Sequence, residues 1–325
     1  MAAGFLANMP GRQAVQEYGR LYGTFRRGQY MLPHDRMEAD RLDTMEEMIS
    51  QCRPPGDSRF TSVNLEPMRK GAQPLEERVR ILDLGCGSGI WMNKMARYLP
   101  NAEIVGLDLH YQAADFVPPN VSIRAPWDYE APWALGEESW DMIHLQMGQG
   151  SVADWIGLYQ KVIRHLVPGT GVFEQVEIDF EPRCDDGSLP PDARLVDWWH
   201  RYLKGSYDII GRRITYEPNT GEMLKAVGFR AEDINHEVYR IPLRPTDPDS
   251  SRVGALWQIS MASGDDAALH CGLEAMSLRP LCSLNGWPAE HVKRLCQEAS
   301  QDAAHPAVNA YNNLHIWTAR APPKS

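Results

Sequence analysis

The chain has 325 residues, of which 43% are hydrophobic, so it is long enough for one large domain or two modest ones with a packed core. Its formal net charge is −10, and its basic residues form only short pairs such as Arg26-Arg27 and Arg212-Arg213. This charge distribution excludes a nucleic-acid-binding surface of the usual basic kind and makes acidic small substrates unexpected. The sequence contains no apolar run of about 18 residues, so no membrane span is predicted.

The N-terminal part predicts an arm followed by one helix. Residues 1–28 have a mixed composition and predict a partly ordered arm. Asp35 and Glu38 then form an acidic analogue of a capping box, and apolar residues recur at helical spacing, which predicts a helix over 35–51. Residues 52–73 contain a Pro-Pro-Gly run and predict a linker.

Strands and helices alternate from Val79 onward. Strands are predicted over 79–84, 103–108, 121–124, 140–146 and 171–180, and helices over 90–99 and 152–166. Such alternation predicts an α/β fold with a mostly parallel sheet and helices on both faces. Ligands bind at the carboxyl ends of the strands in such sheets, so residues at the strand ends are the candidates for function.

The C-terminal part predicts more helix. A helix over 192–204 carries Trp198, Trp199 and Tyr202, which we interpret as core residues, with a roof over the ligand cleft as the alternative. Helix 218–227 stops at a glycine, strands are predicted at 234–241 and 313–320, and helical stretches fill 252–304.

One stretch around three alternating glycines predicts the cofactor. Asp83 ends an apolar run, Gly85, Gly87 and Gly89 follow, a helix begins, and Asp108 ends the next apolar run. Glycines let the backbone approach a ligand closely, and the start of a helix favours a carboxylate. An acid about 20 residues past such glycines usually binds ribose hydroxyls.

This order of residues favours S-adenosylmethionine (SAM) over a dinucleotide. Dinucleotide sites use G-x-G-x-x-G, whereas the position three past Gly87 is Ile90. Asp83 also suits a cofactor with an ammonium group, which a dinucleotide lacks at that point. A glycine turn that merely joins a strand to a helix is the structural alternative. The sequence therefore predicts a class I, Rossmann-like SAM-dependent methyltransferase fold with an antiparallel C-terminal strand, an N-terminal lid helix and helical cap insertions.

The predicted organisation follows from these elements. Residues 1–73 are the arm and lid helix, and residues 74–325 are the methyltransferase core, with helical insertions near 182–215 and 245–305 in one domain overall. The predicted cofactor-binding residues are Tyr30, Asp83, Gly85, Cys86, Gly87, Gly89, Asp108, Leu109, Trp127, Asp128 and Gln146.

Several of these residues have a structural alternative. Tyr30 and the helix at Asp35 are a candidate lid, unless that helix only packs outside the sheet. Asp128 is a candidate partner of the adenine amine, with Trp127 or Tyr129 on the ring; the alternative is an acid that caps a turn.

Catalytic residues are harder to predict. Methyl transfer depends mostly on positioning and exclusion of water, and it needs a base only when the acceptor must lose a proton. His144 and Gln146 are candidates because they end the fourth strand; the alternative for His144 is a hydrogen-bonded position inside the sheet.

Acidic residues alternate along the fifth strand. Gln175, Glu177, Asp179 and Glu181 share one face, where the acids either line the acceptor cleft or pair with arginines such as Arg183 at its rim, and we favour the rim.

Cysteine usage excludes other classes of site. The six cysteines are scattered without zinc spacing, which predicts reduced thiols in a cytosolic or nuclear protein, no disulfide framework and no metal. The N-terminus shows no secretory signal pattern.

Four blocks of sequence resemble the LaeA-like fungal methyltransferases. They are the segments 30–42, 128–133, 140–148 and 173–186, and the last is the most specific because SAM binding does not require it. The resemblance extends from about residue 30 to residue 316.

The resemblance implies a function and partners. It implies a nuclear SAM-dependent regulator of secondary metabolism and development, including sporulation, that works with velvet-family proteins; a cytoplasmic location is left open. The methyl acceptor is expected to be a protein. A SAM-binding scaffold with little turnover and a methyltransferase that modifies a small metabolite are the alternatives.

Overall fold

The computed structural model describes residues 14–56, 58–68, 78–110, 116–246, 251–264, 266 and 268–324. Within the predicted arm, residues 14–23 form a hairpin that the sequence pattern did not indicate, with strands β1 (Ala14–Glu17) and β2 (Arg20–Gly23). The turn between them uses positive φ at Tyr18 and Gly19. It lacks the Asn-Gly or Asp-Gly pair that usually signals a hairpin. Residues 1–13 of the arm lie outside the described residues.

The predicted lid helix is confirmed as helix α1 (Arg36–Cys52). Asp35 caps it, because its Oδ1 accepts from the backbone N–H of Glu38 at 3.0 Å. The second half of the capping box is absent: the Glu38 carboxylate bonds Nη2 of Arg41 at 2.6 Å instead. Asp35 also pairs with Arg20 at 2.7 Å, which attaches the hairpin to the start of α1.

The predicted parallel sheet is confirmed and has seven strands. These are β3 (Arg80–Leu84), β4 (Glu103–Leu107), β5 (Val121–Arg124), β6 (Met142–Gln146), β7 (Val172–Arg183), β8 (Ile234–Pro242) and β9 (Tyr311–Arg320). Their order is β5-β4-β3-β6-β7-β9-β8, and β9 runs antiparallel to both of its neighbours. Of the seven strands, β3 comes first in the sequence and lies between β4 and β6. The strand order therefore reverses at β3, which leaves a crevice at the carboxyl end of β3.

Helices cover both faces of the sheet. They are α2 (Ile90–Tyr98), α3 (Trp155–His165), α4 (Arg194–Asp197), α5 (Lys204–Ile209), α6 (Thr220–Ala226), α7 (Ser251–Met261), α8 (Gly272–Ser283) and α9 (Ala289–Ala304). A π-helical segment, Trp198–Leu203, joins α4 to α5, so the helix predicted over 192–204 changes type in its middle. Short 3₁₀ turns occur at Glu66–Met68 and Ala231–Asp233.

The largest core cluster fixes α1 beside the sheet. Met45, Met48 and Ile49 of α1 pack with apolar side chains of β7, β9 and helices α7 to α9. Trp198 and Trp199 belong to the same cluster and are 1% exposed, which confirms their interpretation as core residues. No helix among the described residues combines the length and apolarity needed to cross a membrane. The division at residue 73 and the single-domain organisation stay predictions.

Candidate active site

The glycine turn connects β3 to α2 directly beneath the lid helix. Gly85, Gly87 and Gly89 all have positive φ, which glycine adopts without strain. The N–H groups of Gly85 and Cys86 both donate to the carbonyl oxygen of Leu107, at 2.8 and 3.0 Å, so the turn is fixed to the end of β4. A Cβ atom on Gly87 would lie 3.0 Å from Cδ1 of Leu42, so the turn also touches α1.

Two cavities flank this turn. The main cavity encloses about 820 Å³, part of it open to solvent, and the smaller one about 430 Å³. The main cavity is lined by Tyr30, Leu32, Arg41, Leu42, Leu84, Gly85, Gly87, Asp108, Leu109, Tyr129, Gln146, Met147, Gln149, Ser151, Phe180, Ile214 and Met276. Leu42, Gly85, Gly87, Gln146 and Met147 line both cavities. The two cavities therefore form the two ends of one cleft at the carboxyl edge of the sheet.

Asp108 lies in the main cavity with its carboxylate oriented by the backbone. Its Oδ2 accepts from the N–H of Gly87 at 2.8 Å, and its Oδ1 accepts from the N–H of His110 at 2.9 Å. Burial raises the pKa of Asp108 to about 6, although both hydrogen bonds oppose that rise. Each carboxylate oxygen retains a lone pair, so the group can accept the two ribose hydroxyls.

Asp83 lies in the smaller cavity at the other side of the turn. It is 3% exposed, and its Oδ1 is 2.8 Å from Nδ1 of His144. A buried carboxylate at this end suits the ammonium group of a methionine moiety. The two acids and the turn between them thus fit SAM, and the contacts of the ribose with Asp108 and of the amino-acid end with Asp83 stay predictions.

Polar atoms without a partner also line the cleft. Oε1 of Gln146 and Oε1 of Gln149 are buried and have no hydrogen-bond partner among the residues that the structure describes. Their amide N–H₂ groups are already used, by Glu46 at 3.2 Å and by the carbonyl oxygen of Ile178 at 3.1 Å. Because buried polar groups are normally satisfied, these two oxygens favour a ligand that fills the cleft.

The lid residues lie where the sequence placed them. Tyr30, Arg41 and Leu42 line the main cavity, and Leu42 and Met45 line the smaller one. Gln146 at the end of β6 bonds Glu46 of α1 across the cleft. The helix therefore covers the cleft and does not only pack outside the sheet.

Other predicted cofactor residues lie at different depths. Leu109 lines the main cavity and Cys86 the smaller one, where burial raises the pKa of the Cys86 thiol. Gly89 lines neither cavity and instead forms the N-cap of α2 with φ of 80°.

The two aromatic candidates for the adenine ring lie in different places. Trp127 lines neither cavity; its backbone N–H donates to the carbonyl oxygen of Asp108 at 2.7 Å, and its ring lies 6.0 Å from the guanidinium of Arg124. Tyr129 lines the main cavity and shares a 2.8 Å hydrogen bond with Ser151, so the structure favours Tyr129, and its contact with the cofactor stays a prediction. Alternate positions in this irregular loop cannot be assigned to a face by a repeat period, which is why the sequence left both open.

Asp128 has the bonds of a turn-capping acid. Its Oδ1 accepts from the N–H of Glu130 at 2.8 Å, and its Oδ2 pairs with Nε of Arg26 at 3.3 Å. It also lines a small third cavity of about 270 Å³ together with Leu109 and Tyr129. The turn alternative therefore accounts for its contacts, and a role at the adenine stays a prediction.

His144 takes the buried position in the sheet. It is 1% exposed, bonds Asp83, and stacks on the ring of Trp91 with centroids 3.8 Å apart and planes at 2°. His144 also lines the smaller cavity, so a hydrogen-bonded position inside the sheet and access to the cleft are combined in this residue.

The acids of β7 divide into two groups. Asp179 and Glu181 pair with Arg183, at 2.6 and 3.4 Å, which confirms the rim interpretation for these two. Glu177 is fully buried without a cation and accepts from the N–H groups of Gly148 and Gln149, at 3.0 and 3.3 Å. Burial raises the pKa of Glu177 to about 7.

The far wall of the main cavity was missed from the sequence. It is apolar and is formed by Leu32, Met147, Phe180, Ile214 and Met276. These residues come from five separate segments, so no local spacing signals them. Met147 is distinguished by a positive φ, but backbone conformation of this kind cannot be read from a sequence.

Comparison with known proteins agrees with this geometry. Residues 51–233 match a family model described as a methyltransferase domain. The chain is 42% identical over 309 residues to the secondary metabolism regulator LAE1 of Cochliobolus heterostrophus, covering 94% of each chain. It is 38% identical over 317 residues to the protein-methionine methyltransferase laeA of Emericella nidulans, covering 97% of this chain and 78% of that one.

Among solved structures, the plantazolicin methyltransferase BpumL in complex with SAH is 15% identical, with a TM-score of 0.43 and 87% of each chain covered. The match to the methyltransferase family, the extended identity to its curated members and the cleft around the glycine turn lead to one conclusion. The chain belongs to the LaeA family and is a SAM-dependent methyltransferase.

Proposed function

We propose that this chain transfers the methyl group of SAM to the thioether sulfur of a methionine side chain in a protein, and thereby regulates secondary metabolism and development. One relative, 38% identical over nearly the whole chain, is named a protein-methionine methyltransferase. The observation that carries the proposal is the chemistry of the main cavity, where the described lining offers no free base.

The ionisable groups of the main cavity are each unsuited to removing a proton. Burial raises the pKa of Tyr30 and of Tyr129, so both phenols stay neutral near pH 7. Arg41 is a cation paired with Glu38 at 2.6 Å. Asp108 is the residue that we expect to bind the ribose. An amine or hydroxyl acceptor must lose a proton, whereas a thioether attacks through a lone pair and has none to lose.

The apolar wall suits the same acceptor. Phe180 and Ile214 are each 4% exposed, and Met276 is 2% exposed, so this side of the cleft excludes water. SAM supplies an electrophilic methyl group on a sulfonium. The wall holds an unbranched apolar side chain in line with that methyl, and positioning of this kind contributes up to roughly 7–11 kcal/mol in well-oriented cases. The positive charge passes from one sulfur to the other, so no proton has to leave the site.

The nuclear location and the velvet-family partners belong to the same proposal. They are supported by the segments 30–42 and 173–186, which resemble LaeA-like proteins beyond what cofactor binding requires. Part of the second segment is the exposed loop after β7, where Asp185 is 61% exposed and pairs with Arg240.

The test is transfer of a labelled methyl group to intact proteins. The purified chain is incubated with methyl-labelled SAM and a cell extract freed of small molecules, and the modified residues are mapped by mass spectrometry. We expect label on methionine sulfur, and none with a Gly87→Val variant. Label only on lysine or arginine would refute the methionine acceptor. SAM binding without any transfer would favour the scaffold.

A further inference from the structure

A row of buried charged side chains crosses the sheet beneath the cofactor cleft. Asp83, His144 and Glu174 are direct register partners on the adjacent strands β3, β6 and β7. Nδ1 of His144 is 2.8 Å from Asp83, Nε2 of His144 is 3.7 Å from Glu174, and Nη2 of Arg53 is 3.3 Å from Glu174. All four residues are at most 3% exposed. The register fixes their order, because partners on parallel strands face the same side of the sheet.

The far end of this row is attached to the segment that follows the lid helix. Arg53 is the C-cap residue of α1. Glu174 also accepts from the backbone N–H of Ser62 at 2.6 Å and from the hydroxyl of Thr61 at 2.9 Å. One buried carboxylate therefore holds residues 53–56 and 58–62, which we call the docking segment, against the sheet.

The imidazole in the middle of the row is held on its face as well as its edge. Trp91 stacks on His144, and the Trp91 indole N–H donates to the carbonyl oxygen of Phe60 at 2.8 Å, again in the docking segment. A ring enclosed in this way is fixed in orientation. Because a carboxylate accepts hydrogen bonds, Nδ1 carries a hydrogen toward Asp83.

The balance of charge within this row indicates its function. Two buried carboxylates, Asp83 and Glu174, face one guanidinium, that of Arg53, and buried charges are stable only when they are paired. The Asp83 end is open to the smaller cavity, where the ammonium of SAM would bind. A cation bound there strengthens the row that also holds the docking segment.

We propose that His144 and Glu174 are positioning residues: they fix Asp83 for the ammonium of SAM and couple cofactor binding to the docking of the docking segment and helix α1. Coupling of this kind is reciprocal, so the docked segment favours SAM as much as SAM favours the docked segment. The inference depends on SAM binding alone and is independent of the proposed acceptor.

The first experiment measures SAM affinity by calorimetry. His144→Asn places an amide donor near the position of Nδ1, whereas His144→Leu removes the donor. We expect affinity within about threefold of native for Asn and a loss of about tenfold or more for Leu, since Asp83 is a charged acceptor. The control is Arg80→Met, which breaks the ion pair with Glu103 (2.9 Å) at the opposite end of β3 and leaves SAM affinity unchanged. Native affinity in the Leu variant, or equal losses in both variants, would overturn the proposal.

The second experiment measures hydrogen exchange in the docking segment. SAM is expected to slow exchange at Ser62 in the native chain. The double variant Arg53→Met/Glu174→Gln removes both charges of this ion pair together, so neither is left buried without the other, and its folding is checked by thermal unfolding. We expect the effect of SAM on Ser62 to disappear in this variant. An equal effect in both proteins would contradict the coupling, while leaving methyl transfer untouched; a native chain that fails to bind SAM would refute the proposed function as well.

Discussion

The two sides of the cleft are built from different materials. The cofactor side consists of backbone groups and two carboxylates: the turn from Gly85 to Gly89, Asp83 and Asp108. The acceptor side consists of apolar side chains, with Phe180 and Ile214 as its most enclosed members. A backbone site tolerates almost no added atom, whereas a wall of side chains can yield. Substitutions on the cofactor side should therefore abolish methyl transfer, whereas those on the acceptor side should only reduce its rate.

The largest effect is expected from Gly87→Val. The substitution forces a β-branched residue to a φ of 52° and brings its Cβ to 3.0 Å from Leu42. We expect SAM affinity to fall by at least about 100-fold, measured by calorimetry. The matched control is Gly187→Val, where φ is 71° but nothing lies within 4 Å of the added Cβ. Equal losses of SAM affinity in both variants would show that backbone strain, and not the site, is responsible.

An intermediate effect is expected on the acceptor side. Ile214→Ala removes part of the apolar wall, so we expect kcat/KM for the protein acceptor to fall about tenfold, because misplacement of a reactant is costly. SAM affinity should stay within about twofold. Ile178→Ala is the control, because Ile178 is buried in the same core cluster but does not line the cleft. A loss of SAM affinity with unchanged acceptor kinetics would assign Ile214 to the cofactor side of the cleft and contradict the prediction.

A smaller effect is expected from pH. Because burial raises the pKa of Asp108 to about 6, lowering the pH from 7.5 to 5.5 should protonate most of it and weaken SAM binding about fourfold. The folded state holds this proton more tightly than the unfolded state, so the contribution of Asp108 to the free energy of unfolding falls as the pH rises from about 4 to 6.

Calorimetry across this pH range checks the prediction, with Asp108→Asn as the control. The variant should bind SAM more weakly and without the step near pH 6. A step of equal size in the variant would assign the pH dependence to another group.

The smallest functional effect is expected in the core. The indole N–H of Trp198 donates to the hydroxyl of Ser277 at 2.7 Å, and Ser277 is fully buried. Ser277→Ala leaves that N–H unsatisfied and should lower the free energy of unfolding by about 1–3 kcal/mol without changing SAM affinity. Ser283→Ala is the control, because Ser283 bonds Tyr18 at an exposed position, and it should change stability by less than about 0.5 kcal/mol. Chemical denaturation measures both variants, and a change in SAM affinity with Ser277→Ala would return Trp198 to the cleft.

The same difference explains what could be predicted from the sequence. The cofactor side is contiguous along the chain, and its residues are restricted by φ and by charge, so Asp83, Gly87 and Asp108 were identified with their places in the fold. Strand period and helix capping likewise gave the sheet and α1. The acceptor wall depends on which distant segments meet, and apolar residues carry no sign of the partner they will contact. Phe180, for example, lies on the face of β7 opposite to Glu177 and Asp179, and the strand period does not show what that face contacts.

Two further features required the structure. Glu177 and Glu174 lie on opposite faces of one strand, and period two separates them correctly. Only the packed sheet shows that Glu174 meets Arg53, whereas Glu177 accepts from the backbone N–H groups of Gly148 and Gln149 and from the side-chain amide of Gln175. The hairpin at residues 14–23 was missed because its turn, Tyr18-Gly19, is not among the pairs that signal one.

The most direct test of this cofactor site is a crystal structure of the chain with S-adenosylhomocysteine. We expect the ribose hydroxyls to bond the carboxylate of Asp108 and the amino group to lie at Asp83, with α1 closed over the ligand and the sulfur facing Met147 and Phe180. A ligand bound elsewhere, or one whose amino group lies far from Asp83, would contradict it.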